Sequence, residues 1–148
     1  MSIEFQIKPF NALSVPQLYQ ILQLRSEVFV VEQNCVYQDI DGKDSKALHL
    51  LGILEGEIVA YSRLFAPGYY FDDASIGRVV ISPEFRDRKW GHKLMEAAIE
   101  GISAHYTTSA ITISAQLYLK KFYESHGFVQ QGDGYLEDNI PHIRMNRS

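Results

Sequence analysis

SIGRVVISPEFRDRKWGHKLME, residues 75–96, decides the fold of this 148-residue chain. The apolar run Ile76–Ile81 predicts a buried strand, and Ser82-Pro83 ends it because proline has no N–H for a sheet ladder. After a short loop, apolar side chains recur every three or four residues and predict an amphipathic helix from about Lys89 to His105. The positions that carry this period are Trp90, Leu94, Ala97, Ala98 and Ile102. Strand, loop and helix in this order place the loop at the carboxyl end of a strand, where open α/β sheets bind ligands.

The loop of this unit concentrates positive charge in a chain whose formal net charge is −4. Its charged residues are Arg86, Arg88, Lys89 and Lys93 against Glu84 and Asp87. The first N–H groups of a helix have no internal partner, and the helix dipole favours an anion there. Cations in that turn are unfavourable for the helix itself, so a bound anion accounts for them. The loop therefore predicts a phosphate or pyrophosphate site, and the alternative is a solvated helix start with ordinary surface cations.

Length and composition restrict the class of protein. With 148 residues and 46% hydrophobic content, the chain predicts a single domain, residues 1–148, with a substantial core. No apolar run reaches the length of a membrane span, and no signal peptide is visible. The lone Cys35 excludes an internal disulfide and fits a reducing compartment, so we expect a cytoplasmic protein without a membrane partner. Scattered charges argue against a nucleic-acid partner, and the histidines and the cysteine show no metal-ligand spacing.

The remaining segments predict more strands and helices. Ser14-x-x-Gln17 is a capping-box pattern that opens a helix reaching the region of Arg25 to Phe29, and an irregular stretch follows from Val30 to Asp44. The other predicted strands cover 3–8, 48–54, 58–64, 110–115, 128–131 and 140–146, and a short helix covers 118–126. Strands that alternate with helices predict an α/β (α+β) fold. The strands Ile76–Ile81 and Ile111–Ala115 should run parallel, with the helix between them as the crossover.

Two short motifs within this order of strands and helices resemble signatures of the GNAT superfamily of N-acetyltransferases. The signature of that family is V-x-P followed by Q/R-x-x-G-x-G/A, and here Ile81-Ser82-Pro83 precedes Arg86 and Gly91. Lys89 stands where the signature has its internal glycine, and its N–H remains available if its backbone is helical. The second motif is Y-x-x-x-G-F, which matches the stretch from Tyr123 to Phe128.

The resemblance extends over nearly the whole chain. RSEVFVVEQNCVYQDIDGKD, residues 25–44, and EDNIPHIRM, residues 137–145, are similar to the ElaA-like branch of the superfamily. This resemblance implies a mixed, largely antiparallel sheet flanked by helices, with two splayed parallel strands at the cofactor cleft. It also implies acetyl-CoA as the donor substrate, no metal, and an amine as the acceptor, although the branch does not imply which amine.

The resemblance also implies roles for individual residues. The backbone of Val79, Val80 and Ile81 would bind pantetheine and polarise the acetyl carbonyl. Tyr123 would protonate the departing thiolate, and its alternative is a core aromatic with no chemical role. The residues expected to hold the rest of the donor are Arg86, Asp87, Arg88, Lys89, Trp90, Gly91, His92 and Gln116.

The general base is the open part of the chemistry. An amine must be neutral to attack a thioester, so a group must remove its proton. Glu32 follows the apolar run Val28–Val31, and at a cleft edge it would have a raised pKa, so we name it with Tyr123 as a catalytic residue. The other candidates are Asp39, Asp41, His49, His142 and a chain of water molecules.

The favoured interpretation is an acetyltransferase in which a small-molecule or peptide amine attacks acetyl-CoA directly in a ternary complex. The alternative is a non-catalytic acyl-CoA- or nucleotide-binding module, which would keep the anion loop without using Tyr123. A fainter resemblance of Arg25–Gln33 is to acyl-homoserine-lactone synthases, whose chains are usually longer. The acceptor and the oligomeric state stay open, and an exposed edge strand would permit a homodimer.

Overall fold

The computed structural model describes residues 2–148 and contains every strand and helix predicted above, with ends shifted by a few residues. The strands are β1 Glu4–Pro9, β2 Leu48–Leu54, β3 Glu57–Phe65, β4 Ser75–Ile81, β5 Ile111–Gln116, β6 Val129–Glu137 and β7 Ile140–Arg147. The helices are α1 Val15–Arg25, α2 Trp90–Tyr106 and α3 Lys120–Glu124. No helix among the described residues is long and apolar enough to cross a membrane.

The strands form two antiparallel sheets, which confirms the mixed and largely antiparallel α/β fold. The first sheet has the order β1-β2-β3-β4, and the second has the order β5-β7-β6. The two sheets meet where β4 and β5 start side by side. There Ala74 and Ile111 form an isolated parallel bridge, and the Thr112 N–H donates to the Ala74 carbonyl at 2.9 Å. No further ladder joins β4 to β5 within residues 2–148, so the parallel strands splay apart as expected.

Helix α2 fixes this splayed arrangement by packing across the sheets. Its residues Leu94, Met95, Ala98 and Ile102 are fully buried in the main core. Gly101 allows the close approach, because a Cβ atom there would lie 2.5 Å from Cδ1 of Ile7. The apolar period of residues 90–102 therefore has a direct structural cause.

The first helix follows its predicted start and continues beyond its predicted end. Ser14 and Gln17 form both hydrogen bonds of a capping box. After Arg25 the chain continues as a π-helical segment, Ser26–Glu32, so the prediction of an irregular chain from Val30 was wrong for three residues. Such π-helical turns occur frequently at functional sites, and this one ends at the rim of the cleft between the two sheets.

Candidate active site

A cavity of about 620 Å³ opens where β4 and β5 diverge. Of the predicted donor-binding residues, those that line it are Val79, Val80, Ile81, Arg86, Gly91 and Gln116. Tyr123, Glu32 and His142 line it as well. The structure therefore brings residues from the two signatures, the first helix and the last hairpin to one cleft.

The other predicted donor-loop residues, Asp87, Arg88, Lys89, Trp90 and His92, do not line this cavity. Trp90 is buried against Phe85, and the guanidinium of Arg88 lies over both rings at 5.1 and 5.5 Å from their centroids. His92 and His126 contact each other on the surface, with 2.9 Å between their ring nitrogens. The side chains of Arg88, Trp90 and His92 thus have partners within the protein, so a donor role for them rests on the backbone or on long-range charge.

Lys89 has a different backbone from the expected helical one. It precedes α2 with φ +59° and ψ +22°, which is the left-handed region. That conformation is unfavourable for any residue with a Cβ atom, and glycine adopts it freely. The signature glycine at this position thus has a physical reason. Helix α2 also has no side-chain cap, so its first N–H groups face the loop without a side-chain acceptor.

Gly91, one residue into α2, also lies against the cleft. A Cβ atom there would meet only the ring of Phe122, at 3.6 Å, which is an ordinary contact. Protein packing therefore does not require glycine at this position. A small residue is instead suited to a ligand that approaches the helix N-terminus closely, as the anion hypothesis expects.

Arg86 is paired with Glu32 across the rim of the cleft. The two guanidinium nitrogens donate to the two carboxylate oxygens at 2.5 and 2.7 Å, and both side chains are partly exposed. The hydrogen bond from Arg86 lowers the pKa of Glu32. The expectation of a raised pKa at Glu32 was therefore wrong, and a carboxylate with a lowered pKa is a weaker base.

Asp39 and Asp41 belong to a buried network of ion pairs. Arg25 donates to Asp39 at 2.8 Å and to Asp44 at 2.7 Å. Arg63 pairs with Asp41 and Asp44, and Arg78 pairs with Asp39 at 2.7 Å. Burial alone would raise the pKa of Asp41, but the hydrogen bonds and charge of Arg63 lower it. These carboxylates neutralise arginines and fix the 37–44 loop, so they are poorly suited to accept protons.

His49 is fully buried, and both of its ring nitrogens have partners. Its Nε2 donates to the Asp44 carbonyl at 2.8 Å, so its Nδ1 accepts from the Tyr61 hydroxyl at 2.6 Å. Burial lowers the pKa of His49 and keeps the ring neutral. This histidine stabilises the fold and does not face the cleft.

His142 is the histidine among the candidate bases that lines the cleft. It lies on β7 opposite Gln116 of β5, and its ring stacks on Tyr135. Its Nδ1 donates to the Ile140 carbonyl at 2.6 Å, which leaves Nε2 as an acceptor in the neutral ring. The Nε2 atom lies 3.5 Å from a carboxylate oxygen of Glu137.

Tyr123 occupies the floor of the cleft. Its ring packs edge-on between Phe122 and Phe128, with centroids at 5.2 and 5.9 Å. Burial, and to a smaller degree the neighbouring Tyr118, raises the pKa of Tyr123, so the phenol stays protonated at neutral pH. The spacing of Y-x-x-x-G-F also has a local cause. Gly127 takes φ +88° after the last helical turn, and the Phe128 N–H then donates to the Tyr123 carbonyl at 3.2 Å.

Ser114 and Glu137 line the cleft and were not predicted from the sequence, and Tyr135 contacts Ser114 beside them. The Ser114 hydroxyl lies 2.5 Å from the Tyr135 hydroxyl and 3.2 Å from the Glu137 carboxylate. Strand β6 was predicted to end at Gln131, but it continues to Glu137 after a register irregularity. A usable signal was present in Asp138-Asn139, since both residues adopt positive φ and this pair is typical of a two-residue hairpin turn.

Comparisons with known proteins agree with this geometry. The family profile described as "Acetyltransferase (GNAT) domain" matches residues 15–148. Protein ElaA of Escherichia coli is 44% identical over 147 residues, which cover 98% of this chain and 96% of that protein. Its crystal structure superposes with a TM-score of 0.92 at 43% identity, over 99% of this chain and 100% of that one.

A crystal structure of an acyl-CoA N-acyltransferase from Pseudomonas aeruginosa matches with a TM-score of 0.94 at 41% identity, over 99% of this chain and 100% of that chain. The AHL synthase LasI matches with a TM-score of 0.76 at 12% identity, over 98% of this chain and 89% of that one. At that identity the likeness to LasI shows a common fold and nothing about the reaction.

Proposed function

The chain belongs to the GNAT acetyltransferase family, and from this membership we propose that it transfers an acetyl group from acetyl-CoA to an amine by direct attack in a ternary complex. The observation that carries the proposal is the fork between β4 and β5, with the Tyr123 hydroxyl on its floor and the α2 N-terminus at one end. Acyl transfer follows from the family. The acetyl donor, the amine acceptor and the roles below are our assignments.

The backbone of β4 suits the acyl part of the donor. Val80 and Ile81 pair with Tyr61 and Ala60 of β3, and Val79 lies in the bulge beside them. Within residues 2–148 no strand pairs with this stretch on the side that faces β5. Arg78, at φ +50°, lies at the register shift that bends β4 away from β5. Unpaired strand groups at such a bend can bind the pantetheine amides and donate to the acetyl carbonyl oxygen as its charge grows.

The opposite end of the cleft suits the pyrophosphate. The uncapped N-terminus of α2, the small Gly91 and the Arg86 side chain converge there. Arg86 can offer two parallel N–H donors to a phosphate once it leaves Glu32.

His142 replaces Glu32 as our candidate for the general base. In this assignment an ammonium group gives one proton to His142 Nε2, which passes it to solvent. The neutral amine then attacks the thioester carbon, the C–N bond forms and the C–S bond breaks. The second proton leaves the nitrogen as the amide forms, and Tyr123 protonates the CoA sulfur and is reprotonated from solvent. The sum is an amide, free CoA thiol and one released proton.

The experiment that tests the proposal measures CoA thiol release from acetyl-CoA against a panel of amines. We expect turnover with at least one amine, and we expect Tyr123→Phe to lower kcat by at least about tenfold, the low end of general-acid effects. The ring and its packing remain in this variant, so acetyl-CoA affinity and stability should stay close to wild type. Wild-type turnover in Tyr123→Phe, with chemistry shown to be rate-limiting, would make Tyr123 a core aromatic. Tight acetyl-CoA binding without turnover of any amine would favour the non-catalytic acyl-CoA-binding module.

A further inference from the structure

The far half of the cleft, away from the α2 N-terminus, contains an unbalanced negative charge. The arginines that line the whole cavity are Arg63, Arg78 and Arg86. Each is paired with a carboxylate: Arg63 with Asp41 and Asp44, Arg78 with Asp39, and Arg86 with Glu32. The positive charges of Arg63 and Arg78 are therefore already matched by carboxylates, and an anionic substituent of the acceptor would have to compete with those carboxylates.

Glu137 and Asp138, by contrast, have no arginine or lysine partner within residues 2–148. Both line the cavity at the turn between β6 and β7. The contacts of Glu137 are the Ser114 hydroxyl at 3.2 Å and His142 Nε2 at 3.5 Å. Burial raises the pKa of Tyr37, and the negative charge of Asp138 raises it further. Tyr37 also lines the cavity.

The facing atoms of His142 and Glu137 indicate which kind of ligand group could bind both side chains. The Ile140 carbonyl holds the proton of His142 on Nδ1, so in the neutral ring Nε2 is an acceptor. The Glu137 carboxylate is also an acceptor. With a neutral ring these are two acceptors at 3.5 Å, which a group with several N–H donors would bind together; with a protonated ring Nε2 donates to Glu137 itself. The His142 side chain is more than nine-tenths buried, and His142 and Glu137 both line the cavity.

From this geometry we propose that the acceptor is a cationic primary amine without a carboxylate or phosphate beside the reacting nitrogen. The inference rests on the proposed acetyl transfer and names its acceptor class. Glu137 receives the ammonium, His142 takes its first proton, and the aromatic wall with Tyr37 and Phe71 contacts the carbon skeleton. An α-carboxylate on the acceptor would lie next to the negative charge of Glu137.

Arg144 is the one arginine near this half that has no acidic partner among the described residues. It shares the sheet face of Ser114, but it does not line the cavity, and its guanidinium lies over the Phe71 ring at 4.9 Å from the centroid. A carboxylated acceptor would have to use this residue. That possibility is an outcome of the experiment below.

The experiment compares amines that differ only in the carboxylate. Tyramine is compared with tyrosine and histamine with histidine, each with acetyl-CoA and a CoA-thiol readout. Tyrosine amide keeps the bulk at the α-carbon and removes the charge. We expect kcat/KM for each decarboxylated amine to exceed that of its amino acid by at least about tenfold, and tyrosine amide to behave like tyramine.

Glu137→Gln tests the residue that carries the inference. It should raise KM for tyramine and lower the ratio of kcat/KM for tyramine to kcat/KM for tyrosine. Acetyl-CoA affinity and circular dichroism should stay unchanged. Asp133→Asn is the matched control, because Asp133 is an exposed carboxylate of β6 that does not line the cavity. It should leave the ratio at the wild-type value.

The outcomes separate this inference from the proposed function. Amino acids turned over as fast as their amines, or faster, would overturn the acceptor class while acetyl transfer stands. An unchanged ratio in Glu137→Gln would overturn the role of Glu137. If no amine led to release of CoA, the proposed function and the acceptor class would both be overturned.

Discussion

Replacement of Glu32 by glutamine should tighten acetyl-CoA binding. Glu32 holds the guanidinium of Arg86 by two hydrogen bonds, at 2.5 and 2.7 Å. Arg86 occupies the first basic position of the donor-loop signature, so the pyrophosphate and the Glu32 carboxylate compete for the same two donors. Glutamine preserves the size of the side chain and removes its charge.

The exposure of the pair limits the size of the effect. The Arg86 and Glu32 side chains are 44% and 40% exposed. Exposed ion pairs contribute about 0.2–1 kcal/mol, and bidentate geometry favours the upper part of that range. If this free energy opposes donor binding, its removal lowers the Kd of acetyl-CoA by about twofold to fivefold. Because solvent screens this pair, the gain should shrink at about 0.5 M salt relative to about 50 mM.

Isothermal titration calorimetry with acetyl-CoA, at both salt concentrations, measures the change. Glu100→Gln is the matched control, since it removes the same charge from an exposed position of α2. Glu100 lies ten residues beyond Trp90, or about 15 Å along the helix axis. Its Kd should match that of the wild type.

A Kd for Glu32→Gln that equals or exceeds the wild-type value would refute the competition between Glu32 and the pyrophosphate. The rate of amine acetylation by Glu32→Gln is a second measurement that tests the role of Glu32. If Glu32→Gln bound acetyl-CoA normally but lost amine acetylation, Glu32 would be the base after all, and the assignment of His142 would be wrong.

The remaining predictions concern stability. Lys89→Gly should raise the free energy of unfolding by about 0.5–1 kcal/mol in urea denaturation, because it relieves the positive φ at +59°. Lys93→Gly, in the right-handed first turn of α2, should lower it by about 1 kcal/mol, and a loss in both variants would argue against strain at Lys89. The free energy of unfolding should fall as pH drops below 6.5, since the pKa of His49 is lowered by burial and the unfolded chain takes up the proton first. It should fall again near and below pH 3.8, because the pKa values of Asp41 and Asp44 are lowered in the folded state. A His49→Gln variant with the same slope between about pH 6.5 and 5 would contradict the assignment to His49.

The parts of the fold that the sequence predicted are those with local causes. The capping box at Ser14 and the apolar period of α2 each depend on residues a few positions apart. Strand β6 was underestimated because Gly132-Asp133-Gly134 interrupts its alternation, while pairing with β7 resumes at Tyr135. That pairing depends on a partner strand, and no local pattern records it.

The candidate site also has parts that local sequence predicts and parts that depend on contacts between distant residues. The two signatures locate the donor loop and Tyr123, because each is a short run with its own backbone geometry. The choice of base depends on contacts between distant residues. Glu32 meets Arg86 across 54 positions, and Asp41 meets Arg63 across 22. Only those contacts show that the acidic candidates are already paired with arginines.

The pairing of charges also makes the two ends of the cleft differ in electrostatic potential. The buried network of three arginines and three aspartates is formally neutral, so it shapes the wall without setting its potential. The potential is then set by the few groups at each end of the cleft. At the α2 end, a donor that displaces Glu32 meets Arg86 and unpaired helix N–H groups. At the hairpin end, an acceptor meets Glu137 and Asp138. If the proposed donor and acceptor are correct, the polyanionic donor and the cationic acceptor are attracted to opposite ends of the cleft.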